Sequence, residues 1–530
     1  MKLELNTRAG YIITAILFLS PLMRFSWDTG PQTLACLASL LLILTLSMDR
    51  KLVFNLYLLL PCAAFAGVSL VSLFANSNQA VVRDGLLVLV SSLAMAYAAS
   101  AAPEQDIKTI LLFPVLAGFA FSVVILSRPL FNLAGFGADS TGFLQTIVNF
   151  NVLAGYSLLV LPLSFIFWEN GGYPALIISL AIFFSITATG SRTASVCALG
   201  ILLIYSLVTG KERKKLSLYL GLVLLSATAI LLLSKSGLSQ SLFDRAAWWR
   251  TALAMFLARP FTGVGWGNFG DYFLVYRPAA GLNSIYAHNL VLQVAAETGV
   301  FGLSAFTLLI YYFYKLLNGP ANRSGSARSL YLPLMLSVSG FLLYNLFDYG
   351  FFIPALMYLF FFILGLAFRG NSGAALKYRL PPAACLLILC AAGFFLVQPL
   401  IAGVYYNRSS YFFKLRDYEK AERYAERSLK HDALNWLPYS RLAEINFTRY
   451  TQTGAAPDLE ASVKMQREAL MLFPQCARLY SDLAWLYLEG RHYPEALQAI
   501  RSARFYDRFN PRYADTSQNI ERMLRDASKK

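Results

Sequence analysis

From residue 10 to residue 403 the chain repeats one feature, windows of almost purely apolar residues separated by short polar connections. About twenty residues of helix, rising about 1.5 Å each, cover the roughly 30 Å of hydrocarbon in a bilayer. Within hydrocarbon each peptide N–H and C=O must be paired by the segment itself or its neighbours, which leaves helices or closed barrels. Barrel strands would read as short alternating segments, and none are found. Charged residues make up 14% of the chain, against roughly 25% in an average soluble domain. The expected fold is all-α, a polytopic transmembrane helical bundle.

Thirteen spans are expected, near 10–23, 31–48, 52–74, 85–102, 109–126, 149–168, 173–189, 193–209, 216–234, 289–314, 329–347, 350–368 and 381–403. Lys2, Arg8 and "YIITAILFLS" resemble the charged and apolar parts of a signal peptide. No small-residue cleavage site follows, so the segment reads as an uncleaved first span. With the N-terminus cytoplasmic, the inside connections hold fifteen Lys and Arg residues. The short outside connections hold four, Arg24, Arg83, Arg128 and Arg192. The long connection 235–288 and the C-terminal tail are therefore expected outside.

From about 404 charges become frequent and the apolar runs break into helical periodicity. "LRDYEKAERYAERSLKHDALN" (415–435) fits the second helix of a tetratricopeptide repeat, and 479–511 fits a nearly complete repeat with Leu483, Ala484, Tyr487, Tyr493, Ala496 and Ala503 in register. Leu442, Ala443, Ala469 and Pro474 fit a third copy. Small residues recur in such repeats because antiparallel helices approach closely, and stacked repeats share a core none can bury alone. Two domains are expected: 1–403 in the membrane and 404–530 as a TPR-like solenoid.

The net charge of +16 is spread over many loops with no basic, aromatic-interleaved stripe, which argues against a nucleic-acid partner. Five of the six cysteines lie in apolar segments and Cys476 is alone in the tail, so they read as small hydrophobes. No Cys/His cluster has metal spacing.

The loop 235–288 draws most of the chemistry. Residues 245–258 form an amphipathic helical stretch with Trp248, Trp249 and Met255 on an apolar side and Arg245 and Arg250 on the other, suited to the membrane interface. "RPFTGVGWGNF" then breaks it with glycines, and "AHNLVLQVAAETGVFGL" opens the next span. These blocks, together with "TATGSRTA" at the mouth of an earlier span, resemble the O-antigen ligase and polymerase superfamily, which includes general O-oligosaccharyltransferases. The resemblance covers about 140–365 and concentrates in 187–303. It implies a GT-C-like glycosyltransferase of the bacterial cytoplasmic membrane. Such an enzyme uses a polyprenyl-diphosphate-linked glycan donor and needs neither metal nor other cofactor.

Moving a glycan off a polyprenyl diphosphate requires a held diphosphate, a stabilised leaving group and a deprotonated acceptor hydroxyl. Guanidinium forks suit the first two. Imidazole, with an unperturbed pKa near 6.5, suits the third. The resemblance assigns catalysis to His288 and diphosphate binding to Arg192 and Arg245. Arg250 and Arg259 are further candidate substrate-binding cations, and Arg277 stands in the same loop; neither Arg259 nor Arg277 sits in a matching motif block. Glu297, a costly carboxylate in or near a span, is grouped with the substrate-binding residues, as a brace for the site. Asp348 in the "FDYG" turn is a lesser candidate for the same role. Each has a plainer reading: His288 as a polar cap, Arg192 as an interfacial snorkeller, Arg245 as a partner of Asp244 or of headgroups, the aromatics as interfacial anchors. The acceptor is left open among a lipid A core, another glycan unit and a protein Ser or Thr; the tail leans toward a protein acceptor or protein partner. Two other functions fit less well. A flippase of lipid-linked glycans would show an inverted repeat and mid-membrane charge, and a TPR scaffold would need fewer spans.

Overall fold

The computed structural model describes residues 7–23, 29–49, 52–71, 78–133, 149–209, 238–318, 325–369, 375–378 and 381–527. These residues are almost wholly helical. In chain order they form α1 (Arg8–Leu22), α2 (Thr29–Asp49), α3 (Leu56–Val71), α4 (Gln79–Ala101), α5 (Glu104–Leu133), α6 (Phe150–Ser164), α7 (Trp168–Ala188) and α8 (Arg192–Thr209). Then come α9 (Leu238–Ala258), α10 (Phe269–Tyr276), α11 (Leu290–Leu317), α12 (Gly325–Tyr344), α13 (Pro354–Leu366) and α14 (Pro382–Lys414). Twelve of the thirteen expected spans coincide with a helix; the thirteenth, 216–234, lies outside the described residues.

Among the described residues, five helices are long and apolar enough to cross a membrane, at Gln79–Ala101, Glu104–Ser127, Phe150–Phe167, Arg192–Thr209 and Leu290–Leu317. Shorter apolar helices pack among them. Two are apolar on all sides and occupy the centre: every residue of α13 is buried, and so is Val152–Ser164 of α6. Their side chains join α1, α4, α5 and α12 in one continuous core. Several serines inside this core bond to the backbone of their own helix. Ser39, Ser69, Ser92 and Ser122 each donate to the carbonyl four residues earlier, and Ser122 Oγ also lies 2.9 Å from Ser185 Oγ.

A short antiparallel pair, β1 (Leu52–Asn55) with β2 (Ala375–Tyr378), ties the connection before α3 to the one before α14. These two connections must therefore share a face of the bundle. At the opposite ends of the helices a second set converges: Asn78 and Gly85 at the start of α4, Ser191 at the start of α8, the loop around Trp266, and the turn 345–349.

Helix α14 continues past the apolar region as one 33-residue rod. It leads into α15 (Tyr418–His431), α16 (Trp436–Thr453), α17 (Ala456–Leu472), α18 (Ala477–Glu489), α19 (Tyr493–Tyr506) and α20 (Pro511–Ala527). Each packs chiefly on its neighbours in sequence. Side chains define the starts: Asp417 and Asn435 accept from backbone N–H groups of the first turns of α15 and α16. Ala421, Ala443, Ala469, Ala484, Ala496 and Ala503 are buried where the helices meet.

Candidate active site

Helix α11 is two helices in one. At Gly299 the backbone turns to φ 64°, ψ −166°, which ends the first segment after nine residues. A break inside a helix frees carbonyls before it and N–H groups after it, and they need partners. The glycine-rich loop supplies them. Val264 N–H donates to Ala296 O (2.8 Å), Gly265 N–H donates to Glu297 O (3.0 Å), and Val300 N–H donates to Pro260 O (2.8 Å). Contact this close excludes side chains. A Cβ on Gly263 would lie 2.2 Å from the Glu297 carbonyl carbon, and one on Gly299 would lie 2.3 Å from the Phe261 oxygen. Both glycines also have positive φ. The glycines of "TGVGWG" and "ETG" are thus two halves of one interlock.

Glu297 fastens the next stretch of that loop. It is buried, and its Oε2 accepts from Gly267 N–H (3.0 Å) while Oε1 accepts from Phe269 N–H (3.2 Å) and Gln293 Nε2 (3.2 Å). Gln293 Oε1 in turn accepts from Ala287 N–H (2.9 Å). The carboxylate therefore reaches the residue before His288 through one intervening side chain.

His288 sits at the top of α11 with φ 51°, a left-handed conformation rare outside glycine. Holding it there costs about 1–3 kcal/mol, and its neighbours supply the restraint. Asn289 caps α11 by accepting from Leu292 N–H (3.0 Å), and its Nδ2 donates to Leu346 O (3.1 Å). Leu290 N–H donates to Asn345 O (2.7 Å). The imidazole lies between rings, stacked on Trp248 with centroids 4.3 Å apart and edge-on to Tyr349 at 4.8 Å. Its Nδ1 is buried without a hydrogen-bond partner among the described residues. Among the described residues, ring contacts with Trp248 and Tyr349 orient the imidazole. Burial pushes the His288 pKa down to about 4, and the Arg245 charge adds to that effect, so the ring is neutral at pH 7.

Arg245 comes from α9, which lies across the same mouth. Its Nε donates to Phe347 O (3.0 Å). Its charge acts on both His288 and Asp348. Asp348 is buried, accepts from Tyr349 N–H (2.8 Å) and lies within hydrogen-bonding reach of the Tyr344 hydroxyl. Burial raises its pKa to about 6 against the lowering effect of those bonds and of Arg245. The Tyr344 hydroxyl donates to Asn151 O (2.7 Å) and also lies within hydrogen-bonding reach of Ser191. Ser191 is the residue before Arg192, in the turn at Gly190 (φ 78°) that opens α8. Polar groups thus run from Ser191 through Tyr344 to Asp348, and the Arg245 charge acts on both Asp348 and the imidazole.

The other loop cations lie elsewhere. Arg250 is exposed on α9. Arg259 lies over the Tyr272 ring at 5.1 Å, and Tyr272 accepts from Gln475 of the tail (2.8 Å). Arg277 is buried, paired with Asp507 (2.5 Å) and donating to Leu282 O (3.0 Å). Sequence reasoning passed over two features. One is helix α10, where glycines and aromatics obscure the period. The other is the extent of the turn 345–349: Asp348 was a lesser candidate, but Asn345, Leu346, Phe347 and Tyr349 also contribute to the site, and the signal was the polar "N" of "NLFDYG" at the end of an apolar run.

A sequence search finds no match among curated proteins. Residues 177–307 match the O-antigen ligase family, a stretch that includes Arg192, Arg245, the glycine interlock, His288 and Glu297. Over 177–307 the chain is therefore similar to the O-antigen ligase family, and the succession of apolar helices around that stretch fits a multi-pass membrane protein.

Proposed function

We propose that the chain transfers an oligo- or polysaccharide from a polyprenyl-diphosphate carrier to an acceptor hydroxyl on the outer face of the bacterial cytoplasmic membrane. The observation that carries this reading is the pairing of a neutral, partly buried imidazole with the Arg245 guanidinium at one mouth of the bundle. The acceptor oxygen attacks the anomeric carbon, the bond from that carbon to the phosphate oxygen breaks, and His288 takes the hydroxyl proton. Arg245 and Arg192 hold the diphosphate and offset the charge that grows on the leaving group. Loading the donor brings negative charge beside Arg245, which relieves the field that lowers the His288 pKa. The base strengthens when there is a substrate to act on.

In this reading Glu297 is a positioning residue, with its oxygens engaged by the loop and by Gln293. Arg259 and Arg277 join the loop to the tail, and Arg250 is left as a surface or headgroup contact. The membrane domain extends to about 403, and the tail from 404 is an extracytoplasmic, TPR-like module whose partner is a protein. The acceptor class stays as the resemblance leaves it: lipid A core, glycan or protein.

The test is His288→Ala, assayed in membranes supplied with a lipid-extracted, polyprenyl-diphosphate-linked oligosaccharide. Transfer is expected to vanish while abundance and membrane insertion match wild type. Full activity in that variant refutes the general-base role.

A further inference from the structure

On the far side of α4 lies a cavity that the transfer reaction does not use. Its volume is about 940 Å³, and α2, α4, α14 and the start of the tail enclose it. Its walls are apolar, with Leu40 and Ile43 from α2, Leu87 and Ala94 from α4, and Leu396 from α14. Helix α4 separates it from the candidate active site. Gly85 O accepts from Trp266 Nε1 (3.1 Å) on one face, while Arg83, Leu87, Val90 and Ala94 line the cavity from the other.

Its length matches a lipid leaflet. From Arg83 at the mouth to Ala94 at the deep end, eleven residues of helix rise about 16 Å, close to half of the roughly 30 Å hydrocarbon core. The volume lies at the upper end of ordinary ligand sites, which run to about 1,000 Å³. The side is open toward the bilayer at Val90 and Phe394, which are 54% and 60% exposed. The top is closed, because Lys430–Leu434 of the tail folds over it. A lipid-facing groove without specificity would have no such roof.

The mouth carries both signs of charge. Arg83 pairs with Asp432 (2.7 Å) and with Asp84 (2.9 Å), and Lys430 adds a second cation. Asp84 reaches the mouth through its pair with Arg83 and itself lines a smaller adjoining cavity. Two cations beside two carboxylates complement a head that holds a phosphate next to an ammonium. They do not complement a diphosphate, whose charges would meet Asp84 and Asp432 at close range. We infer that this cavity binds one zwitterionic phospholipid, an acyl chain along α4 and its head among Arg83, Lys430, Asp84 and Asp432, and that the lipid seats the start of the tail on the bundle.

The full chain, purified in mild detergent and exchanged into nanodiscs of equimolar phosphatidylethanolamine and phosphatidylglycerol, is then stripped and weighed by native mass spectrometry. One phosphatidylethanolamine per chain is expected to persist, enriched several-fold over its share of the bilayer. Val90→Trp and Ala94→Phe fill the cavity from its open side and its deep end, and either should bring retention down to the level of unselected lipid. Lys430→Glu should reduce the enrichment with elution and thermal unfolding unchanged. Retention that follows the bulk ratio, that favours the anionic lipid or a co-purified polyprenyl phosphate, or that survives both cavity-filling variants overturns the proposal. The readout is independent of glycan transfer, so it stands or falls apart from the catalytic reading.

Discussion

Glu297→Gln probes the link between the glycine loop and the imidazole, and its size follows from the hydrogen bonds. The carboxylate accepts three: from Gly267 N–H at Oε2, and from Phe269 N–H and Gln293 Nε2 at Oε1. A glutamine with its oxygen in the Oε1 position keeps two of these and turns its NH₂ toward the Gly267 N–H. One buried donor then faces another, a loss of about 1–3 kcal/mol. Expressed fully in the transition state, that loss slows transfer about fivefold to a hundredfold. Glu297→Ala abandons all three donors, about 3–9 kcal/mol, comparable to the whole stability of a typical domain, and should not accumulate. The assay is initial transfer rate in membranes at matched protein levels, with thermal unfolding of the detergent-purified protein alongside. Wild-type rate and unfolding temperature in Glu297→Gln would show that the loop does not depend on this carboxylate.

Arg192→Lys keeps the charge but loses the planar fork; transfer should fall at least tenfold, read as initial rate at saturating donor. Because only neutral His288 accepts a proton, kcat/KM for transfer should hold steady above pH 5 and decline as pH drops through about 4. Removing the Arg245 charge in Arg245→Gln eliminates one of the two causes that lower this pKa, so the acid limb of the residual kcat/KM profile should move to higher pH. Arg277→Ala or Asp507→Ala alone leaves a buried charge without its partner, at about 3–5 kcal/mol. The double variant should recover part of that loss in a thermal-unfolding cycle, and additive single effects would show that the pair is not coupled.

The sequence disclosed what periodicity and composition encode, and little of what depends on distant contacts. Spans were legible because an apolar window must be helical in hydrocarbon. Glu297 was legible as an expensive carboxylate in need of donors; that the donors are Gly267 and Phe269, thirty and twenty-eight residues earlier, was not. The left-handed backbone of His288 has no sequence mark, since only glycine advertises positive φ. The Arg277–Asp507 pair joins residues 230 positions apart, and no local pattern announces it. Arg259 and Arg277 looked like any other loop cations because sequence shows a charge without showing its partner.

Those partners change how the tail should be tested. The loop that carries the site meets the tail through Arg277 and Asp507, through Gln475 and Tyr272, and through Arg508, whose guanidinium donates to Arg277 O (3.0 Å). The tail also reaches α4 through Asp432 and Arg83. Deleting 404–530 would leave Arg277 without its carboxylate and uncover Tyr272, which is buried in the intact chain. Loss of transfer after deletion would then follow from collapse of the loop whatever the tail selects. A change that leaves Asp432, Gln475, Asp507 and Arg508 in place, such as Trp485→Ala on a side chain that is 55% exposed, separates the two effects. A tail that only buttresses the loop predicts unchanged transfer to every acceptor, whereas a tail that recognises a partner through that face predicts loss toward one acceptor alone.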